Sequence, residues 1–333
     1  MKNNKLITLY TENGENFNID NWNIYPRPQM KRDSFFSLNG EWNFCTKKTG
    51  EIPTEFTEKI IVPFCPQSVL SGINRLISDS DYLIYKKEFS LPKDFNKGRV
   101  LLHFGAVDQK ATVYLNDVKI GQAEDGYTPF CFDITENLKP NNTIVVIAKD
   151  DLDNHVLPYG KQKHKRGGMW FIPVSGIWQT VWLESVPKEY IRDITTLCDD
   201  KIATVTISGI KTGVITLETP DGNRDFEIKD GQVEIIIDSP LLWTPETPNI
   251  YNFTVKSGED LVSSYLAFRK IESKVVNGIP RLCLNGKPYF FHGLLDQGYY
   301  PDGIFTPAAP EEYKNDILRM KELGFNMLRK HIK

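Results

Sequence analysis

The residues best suited to chemistry in this chain are polar and aromatic side chains that follow an apolar run near residue 290. Asp296, Gln297, Tyr299 and Tyr300 come after the run Tyr289–Phe291. Carboxylates and amides bind sugar hydroxyl groups, and aromatic rings pack against the apolar face of a sugar. Asp296, Gln297, Tyr299 and Tyr300 fit this mix, and Asp296 and Gln297 are the polar candidates for binding a ligand. The alternative is a polar loop whose side chains make only their own turn contacts.

The elements around this group are predicted to be a strand, a helix and a second strand. Tyr289–Phe291 is an apolar run between a proline and a glycine, which is typical of a buried parallel strand. A helix is predicted from Pro310 to a cap at Gly324, because proline suits the first helical position and glycine the position after the last. Phe325–Arg329 is then the second strand. The apolar face of the helix carries Tyr313, Ile317 and Met320.

Two strands joined by a helix are the repeat of an eight-fold (β/α) barrel, in which active sites form at the C-terminal ends of the strands. Such a barrel takes about 200 residues or more, so residues 275–333 are expected to be its N-terminal fragment. The first predicted strand leads into Asp296 and Gln297, and the second leads into Arg329 and His331. We expect the unfinished apolar faces to rest on the preceding domain or on another copy of the chain, in a homo-oligomer.

The part of the chain before residue 275 is predicted to be β-structure. Short alternating segments separated by turn residues run from Ser37 to Pro187, which is typical of an antiparallel sandwich. Asn116-Asp117 separates two of these segments where a tight hairpin needs φ > 0, and Gly176–Leu183 is predicted as the last strand. Shorter strands from 188 to 274 favour an immunoglobulin-like sandwich. The fold class is therefore mainly β, with domains at 1–187, 188–274 and 275–333.

Charge and composition argue against several classes of function. The formal net charge of −3 gives no support to a nucleic-acid or membrane partner. The basic run Lys161–Gly168 could contact nucleic acid, but a solvated loop is favoured because the rest of the chain has no basic surplus. Five scattered cysteines are expected to be free thiols. Dinucleotide, phosphate-loop and zinc motifs are missing, which predicts no cofactor and no metal. A cytoplasmic location is expected, because no segment has the pattern of a signal peptide or a membrane span.

Five segments, in sequence order, are similar to landmarks of glycoside hydrolase family 2. These segments are Ser37–Trp42, Val174–Gln179, Leu242–Pro248, Leu284–Pro288 and Leu323–Arg329. The family contains β-galactosidases, β-glucuronidases and β-mannosidases. The resemblance implies a jelly-roll, galactose-binding-like sugar-binding domain, then an immunoglobulin-like domain, then the barrel. It also implies that two glutamates hydrolyse terminal β-glycosidic bonds with retention, and β-galactosidase-like activity is expected first.

In that family both glutamates come from later barrel strands, and the acid/base residue follows an asparagine. This chain contains no Asn-Glu dipeptide, so we expect it to hold no catalytic residue and to show no turnover alone. Two alternatives stay open: a non-catalytic carbohydrate-binding module, and a structural or interaction fragment without sugar affinity. The predicted strand–helix–strand unit favours the hydrolase, because a dedicated binding module has no need of it.

The resemblance adds three substrate-binding candidates. Arg329 matches a family arginine that organises the floor of the active site. In the family, Ser-His-Tyr-Pro commonly follows this arginine after one intervening residue. Here the arginine is followed by Lys330, His331 and Ile332 instead. His331 is therefore either a sugar ligand or an exposed side chain. Trp170 occupies the position of an aspartate that contacts substrate in β-galactosidases and β-glucuronidases. We expect Trp170 to be either a stacking surface for a sugar or a packing residue.

Overall fold

A computed structural model describes residues 8–151 and 156–333 of the chain. Strands dominate these ranges, which confirms the mainly β fold class. The described α-helices are the four-residue α1 (Glu12–Glu15) and the twelve-residue α2 (Glu311–Glu322). Short 3-10 helices lie at Ile19–Trp22, Pro28–Met30 and Thr135–Asn137.

Residues 35–186 form a sandwich of two antiparallel sheets. Its strands are β1 (Phe35–Ser37), β2 (Gly40–Lys47), β3 (Glu58–Val62), β4 (Tyr82–Phe89), β5 (Arg99–Phe104), β6 (Val107–Asp108), β7 (Lys110–Leu115), β8 (Val118–Glu124), β9 (Phe130–Asp133), β10 (Asn142–Lys149), β11 (Gly176–Ile177) and β12 (Val181–Val186). One sheet has the order β1-β12-β5-β9, and the other has the order β3-β2-β4-β10-β7-β8. A separate short pair is formed by β6 and β11.

The core of this first sandwich lies between the sheets, because alternate residues of each strand point inward. Trp42, Phe44 and Phe104 are buried there among aliphatic side chains. The hairpin between β7 and β8 turns at Asn116 and Asp117, whose φ angles are 51° and 70°. This left-handed pair is the turn geometry that a two-residue hairpin needs, and it confirms the sequence prediction.

The prediction of Gly176–Leu183 as one strand is wrong. Its first two residues pair with β6, and the chain leaves that pair before β12 joins the four-stranded sheet. Between the two strands, Trp178 N donates to Ala106 O at 3.4 Å, and Gly105 N donates to Thr180 O at 2.9 Å. The chain changes sheets here, so these irregular bonds replace a continuous ladder.

Residues 193–266 form a second antiparallel sandwich. Its strands are β13 (Asp193–Cys198), β14 (Ile202–Ser208), β15 (Gly213–Thr219), β16 (Gly222–Ile228), β17 (Gln232–Ile236), β18 (Tyr251–Ser257) and β19 (Asp260–Leu266). The sheets have the orders β13-β14-β17 and β16-β15-β18-β19. Phe253 and Phe268 are fully buried between them, and β19 alternates buried and exposed residues along its whole length.

A buried network of charges joins the two sandwiches. The Arg32 guanidinium donates to both carboxylate oxygens of Asp260 on β19, at 2.9 Å each. It also lies 3.6 Å from the carboxylate of Glu184 on β12, which pairs with Arg27 at 2.7 Å. Because Arg32, Asp260 and Glu184 are buried, water screens these charges little. The segment before β1 thus ties one sandwich to the other.

Residues 271–330 hold a hairpin and a parallel strand pair. The hairpin consists of β20 (Ile271–Val276) and β21 (Ile279–Leu284), and β22 (Lys287–Pro288) pairs with β21. The parallel pair consists of β23 (Gly293–Asp296) and β24 (Met327–Lys330). Since α2 connects β23 to β24, the predicted strand–helix–strand unit is present.

The first strand of this unit begins later than predicted. Tyr289–Phe291 is not a strand, and Phe290 is 81% exposed. The side chain of Asn326 explains the difference, because it accepts from His292 N and donates to Phe290 O, both at 2.9 Å. These backbone groups are bonded to the amide rather than to a strand, so the parallel ladder starts at Gly293.

The end of α2 lies where the sequence predicts it. Gly324 has a φ angle of +85° and donates its N–H to Lys321 O at 3.0 Å. Phe325 N donates to Met320 O at 3.0 Å. These two bonds satisfy carbonyls of the last helical turn, as a left-handed glycine cap does. The second strand then starts at Met327, two residues after the predicted position.

The strand–helix–strand unit rests on both sandwiches. Lys321 Nζ donates to Pro245 O at 3.1 Å, and Tyr289 Oη donates to Glu246 Oε1 at 2.6 Å. Thr306, in the connection between β23 and α2, donates its hydroxyl to a backbone carbonyl of the first sandwich. Polar contacts with the preceding domains are therefore present, but the apolar side chains of Ile317 and Leu328 stay 48% and 37% exposed. Their burial against another copy of the chain, in a homo-oligomer, stays a prediction.

Candidate functional site

The C-terminal ends of β23 and β24 lie side by side because the two strands are parallel. Asp296 and Lys330 are opposite each other in the register, with Lys330 Nζ 2.9 Å from Asp296 Oδ2. His331 N donates to Asp296 O at 2.9 Å. The strand pair thus brings together two of the predicted residues, Asp296 and His331, and adds a lysine beside the carboxylate.

Arg329 and Gln297 were also predicted to bind substrate and belong to the same unit. Within the described structure, their side chains have no contact with Asp296, Lys330 or His331. Arg329 is exposed and pairs with Leu295 in the register. Since successive side chains of a strand alternate between faces, Arg329 lies on the opposite face of β24 from Lys330. Gln297 is half-buried just after β23 ends. Substrate binding by Arg329 and Gln297 stays a prediction.

Trp170, the remaining predicted residue, lies in the long loop 156–173 of the first sandwich. Its ring is half-buried, and Lys163 Nζ lies 4.3 Å from the ring centroid. The lysine therefore occupies one face of the indole through a cation–π contact. A sugar would have to use the other face or displace Lys163, and the stacking role of Trp170 stays a prediction.

The loop 156–173 reaches the strand–helix–strand unit at two points. Phe171 stacks on Tyr299, with ring centroids 4.3 Å apart and planes inclined by 16°. Gly160 has a φ angle of +62°, and a Cβ at this position would lie 2.5 Å from Ile332 O. Only glycine permits so close an approach of the two backbones. A side wall from the first sandwich therefore borders the strand ends that carry Asp296 and Lys330.

Lys333 is a further charged residue of this region that the sequence reasoning missed. Its ammonium group donates to Phe305 O at 2.9 Å and to Gly298 O, and it lies 4.6 Å from the Phe305 ring centroid. Burial lowers the pKa of Lys333 to about 7, and the nearby Lys330 charge lowers it in the same direction. The amine can therefore change its charge near neutral pH.

An aromatic cluster around Phe305 packs against Tyr299, the residue on which Phe171 of the loop 156–173 stacks. Phe305 contacts Trp178 at a centroid distance of 5.1 Å and Tyr299 at 5.2 Å, in edge-to-face geometry. Tyr127 lies 6.3 Å from Phe305 and 5.9 Å from Trp178. Rings in this geometry stabilise one another beyond simple burial, so Tyr299 is held in a fixed position at the site.

Buried carboxyl groups lie beneath the same loop. Asp108 and Asp150 are only 2% and 4% exposed, and within the described structure Asp108 Oδ2 and both Asp150 carboxyl oxygens have no hydrogen-bond partner. Burial raises the pKa of Asp150 to about 7, assisted by the charge of Asp79. Burial, then Asp150, raises the pKa of Asp108 well above its usual range. Both groups therefore favour the protonated form, because a buried charge without a partner is costly.

The side chains of this region offer hydrogen bonding and charge. Among residues 8–151 and 156–333, no group of three or more His, Cys, Asp or Glu side chains has a geometry suited to a metal ion. The five cysteines are free, as predicted, although Cys131 is exposed. In the same two ranges, the helices are too short or too polar to cross a bilayer.

Sequence reasoning missed Asp108, Asp150, Phe171 and Lys333. Asp108 ends β6 and Asp150 directly follows β10, and a carboxylate next to a core strand was the signal that the sequence offered. Phe171 and Lys333 gave no such signal, since their partners Tyr299 and Phe305 are distant in the chain.

The fold defines a multidomain β-sandwich protein that continues into a parallel strand–helix–strand unit. Two family models match it: the glycosyl hydrolase 2 galactose-binding domain-like model over residues 59–172, and the glycosyl hydrolases family 2 model over residues 193–269. Together they span more than half of the chain. The chain belongs to glycoside hydrolase family 2.

Curated relatives match large parts of this chain. A β-galactosidase of Thermoanaerobacter pseudethanolicus is 30% identical over 269 residues, which are 74% of this chain and 35% of that protein. A β-glucuronidase of Streptococcus agalactiae is 26% identical over 344 residues, which cover 92% of this chain and 54% of that protein. The chain thus spans between about a third and about half of the length of these relatives.

Solved structures have the same fold. The apo β-glucuronidase of Ruminococcus gnavus superposes with a TM-score of 0.73 at 21% identity, over 92% of this chain and 56% of that one. A β-glucuronidase of an uncultured Clostridium species gives a TM-score of 0.71 at 23% identity, over 92% of this chain and 56% of that chain. At these identities the likeness concerns the fold alone.

Proposed function

We propose that this chain is the N-terminal part of a retaining β-glycosidase, with β-galactosidase-like activity as the first expectation. Residues before 275 would supply the sugar-binding and immunoglobulin-like domains, and residues 275–333 the first strand–helix–strand of the catalytic barrel. The observation that carries the proposal is the parallel pairing of β23 with β24, which gathers Asp296, Lys330 and His331 at one end. Barrel enzymes place substrate at that end of their strands.

The residues of this chain would bind the sugar rather than cleave its bond. Asp296 would accept hydrogen bonds from sugar hydroxyl groups, with Lys330 beside it as a donor. Tyr299, held by Phe171 and Phe305, would form an aromatic wall at the same edge. Gln297 would add a neutral amide that can both donate and accept.

The bond-breaking step would belong to two glutamates on later barrel strands. A retaining pair stands about 5–5.5 Å apart, where one residue protonates the leaving oxygen and the other forms a covalent glycosyl intermediate. The buried carboxyl groups Asp108 and Asp150 are on the first sandwich, and we assign them no role in this step. The chain alone is therefore expected to be inactive.

The test joins this chain to the remaining barrel of its own reading frame and assays nitrophenyl β-galactoside, β-glucuronide and β-mannoside. We expect turnover of at least one, most rapidly the galactoside, and a product that first appears with the β configuration in a proton NMR time course. A folded protein that is silent on all three would contradict the proposal. Sugar binding by that silent protein would instead support a non-catalytic carbohydrate-binding module.

A further inference from the structure

A cleft of about 1190 Å³ lies between the two sandwiches. The first sandwich contributes residues 97–99, at the start of β5, and residues 187–190, which follow β12. The second sandwich contributes Arg192 and two turns, at residues 209–212 and 257–259. No part of the site described above borders this cleft.

The cleft and the candidate site lie at opposite ends of one strand pair. In the antiparallel register of β5 and β12, Arg99 is opposite Val186 at the cleft, and Phe104 is opposite Val181 at the other end. A strand of this length spans about 20 Å. Trp178, just before β12, contacts Phe305 of the candidate site. A ligand in the cleft would therefore not touch the candidate site directly.

The wall of the cleft has the opposite charge to the chain as a whole. Five cationic side chains line it against two carboxylates, Glu189 and Glu259, although the formal net charge of the chain is −3. One of the cations, Arg99, pairs with Asp133 at 2.7 Å. Within the described ranges the other four form no ion pair with a carboxylate; they are Lys97, Lys188, Arg192 and Lys211.

A concave surface that concentrates one sign of charge attracts ligands of the opposite sign. Guanidinium and ammonium groups bind carboxylate and sulfate oxygens through charge-assisted hydrogen bonds. Tyr190 adds an aromatic ring to the same wall, with the Arg192 guanidinium 5.8 Å from its centroid. Aromatic rings beside polar groups suit the two faces of a sugar.

We propose that this cleft is a second carbohydrate site that binds anionic oligosaccharides, with the cations on the acidic groups and Tyr190 against a sugar ring. The negative charge of the ligand is inferred from the cleft itself. The choice of a carbohydrate over other polyanions rests on the proposed function. Such a site would hold an acidic polysaccharide at the end of the β5–β12 strand pair that is remote from the candidate site.

The experiment measures binding of a galacturonate hexasaccharide to residues 1–333 by isothermal titration calorimetry. We expect binding that weakens as salt is added, since exposed charges are screened. The fully methyl-esterified hexasaccharide, which has the same rings without the charges, should not bind.

The double variant Lys188→Glu/Lys211→Glu should bind the acidic hexasaccharide at least about tenfold more weakly. Binding of dextran sulfate, with uncharged dextran as its control, shows whether the cleft binds sulfate groups as well as carboxylates.

A matched control reverses two charges away from the cleft, in Lys47→Glu/Lys201→Glu. Lys47 ends β2 in the other sheet, and Lys201 lies at the tip of the β13–β14 hairpin, opposite to the Arg192 end. This control should bind as the parent chain does. Equal losses in both double variants, or no binding by the folded parent, would overturn the proposal.

A single-stranded oligonucleotide of equal charge is the competing polyanion. If it binds as tightly as the hexasaccharide, the carbohydrate assignment is wrong. Turnover of nitrophenyl glycosides by the full barrel is measured separately and should be unchanged in Lys188→Glu/Lys211→Glu. Absence of hexasaccharide binding in a protein that turns over glycosides would contradict this inference alone. Hexasaccharide binding in a protein without turnover would contradict the proposed function alone.

Discussion

Phe171 of the first sandwich stacks face to face on Tyr299 of the strand–helix–strand unit, with centroids 4.3 Å apart. The two residues are far apart in the chain, and their contact fixes the loop 156–173 against the strand ends that carry Asp296 and Lys330. Edge-to-face contacts of Phe305 with Tyr299 and Trp178 extend this contact into the interior. The position of the candidate site therefore depends on a joint between domains as well as on the strands themselves.

Replacing Phe171 by Ala should loosen this joint. We expect a loss of about 1–2 kcal/mol in the free energy of unfolding, from the lost ring pair and the lost burial. Amide hydrogen exchange should increase at residues 298–306, measured by mass spectrometry. Tyr299→Phe is the control: it keeps the ring, and the buried Tyr299 hydroxyl has no hydrogen-bond partner in the described structure, so stability should stay the same or rise slightly. Equal exchange in the parent and Phe171→Ala would show that the stack does not hold the loop.

Replacing Arg32 by Met should destabilise the chain much more. The change leaves Asp260 buried without its cation, whereas Glu184 keeps its pair with Arg27. Breaking a buried pair costs about 3–5 kcal/mol. Denaturant unfolding measures this loss. Lys59→Met serves as the comparison, because the Lys59–Glu41 pair is more than half exposed on both sides and should contribute less than about 1 kcal/mol. A similar small effect in both variants would contradict the bridging role of Arg32.

The buried Asp150 should make stability depend on pH. Its pKa of about 7 in the folded chain lies above the usual value of 3.8, so between these pH values the folded state binds more protons than the unfolded state. Stability should therefore fall as pH rises from about 4 to about 7, by at most about 1.4 kcal/mol per pH unit for this group. Asp108, whose pKa is also raised, should add to the decrease.

Urea unfolding at several pH values tests this dependence. Asp150→Asn should make the profile less steep, since the amide stays neutral throughout, while Asp108 and Glu184, whose pKa values are also raised, keep their contributions. Asp117→Asn, an exposed carboxylate in the β7–β8 turn, should leave the profile as it is. A parent chain whose stability rises over this pH interval would show that these carboxyl groups are ionised in the folded state.

In the protein with a complete barrel, Asp296→Ala should lower kcat/KM on the best nitrophenyl glycoside by about 10- to 100-fold. This range corresponds to the loss of one hydrogen bond to a charged group. Glu322→Ala removes an exposed carboxylate on α2 and should leave kcat/KM unchanged. Wild-type kinetics in Asp296→Ala would remove Asp296 from the substrate site and leave the fold assignment untouched.

Local chemistry allowed several elements to be predicted from the sequence. Asn116-Asp117 forms a hairpin because both residues tolerate φ > 0, and Gly324 ends α2 for the same reason. Alternating apolar segments predicted an antiparallel sandwich from Ser37 to Pro187, and the structure has antiparallel strands there. The predicted strand at Tyr289–Phe291 was wrong because the Asn326 side chain, more than thirty residues away, binds the backbone there.

The sequence by itself determined the mainly β class and the strand–helix–strand order near its end, since turn residues, caps and alternation act over a few neighbouring positions. The family came from the resemblance of five short segments to known landmarks. Only the tertiary structure decided what surrounds Asp296: Lys330 beside its carboxylate, Phe171 over Tyr299, and Lys333 against Phe305. It also showed that Asp108 and Asp150 are buried and that five cations share one cleft. Burial, pKa shifts and clefts arise from contacts between distant segments, and no local pattern of residues specifies those contacts.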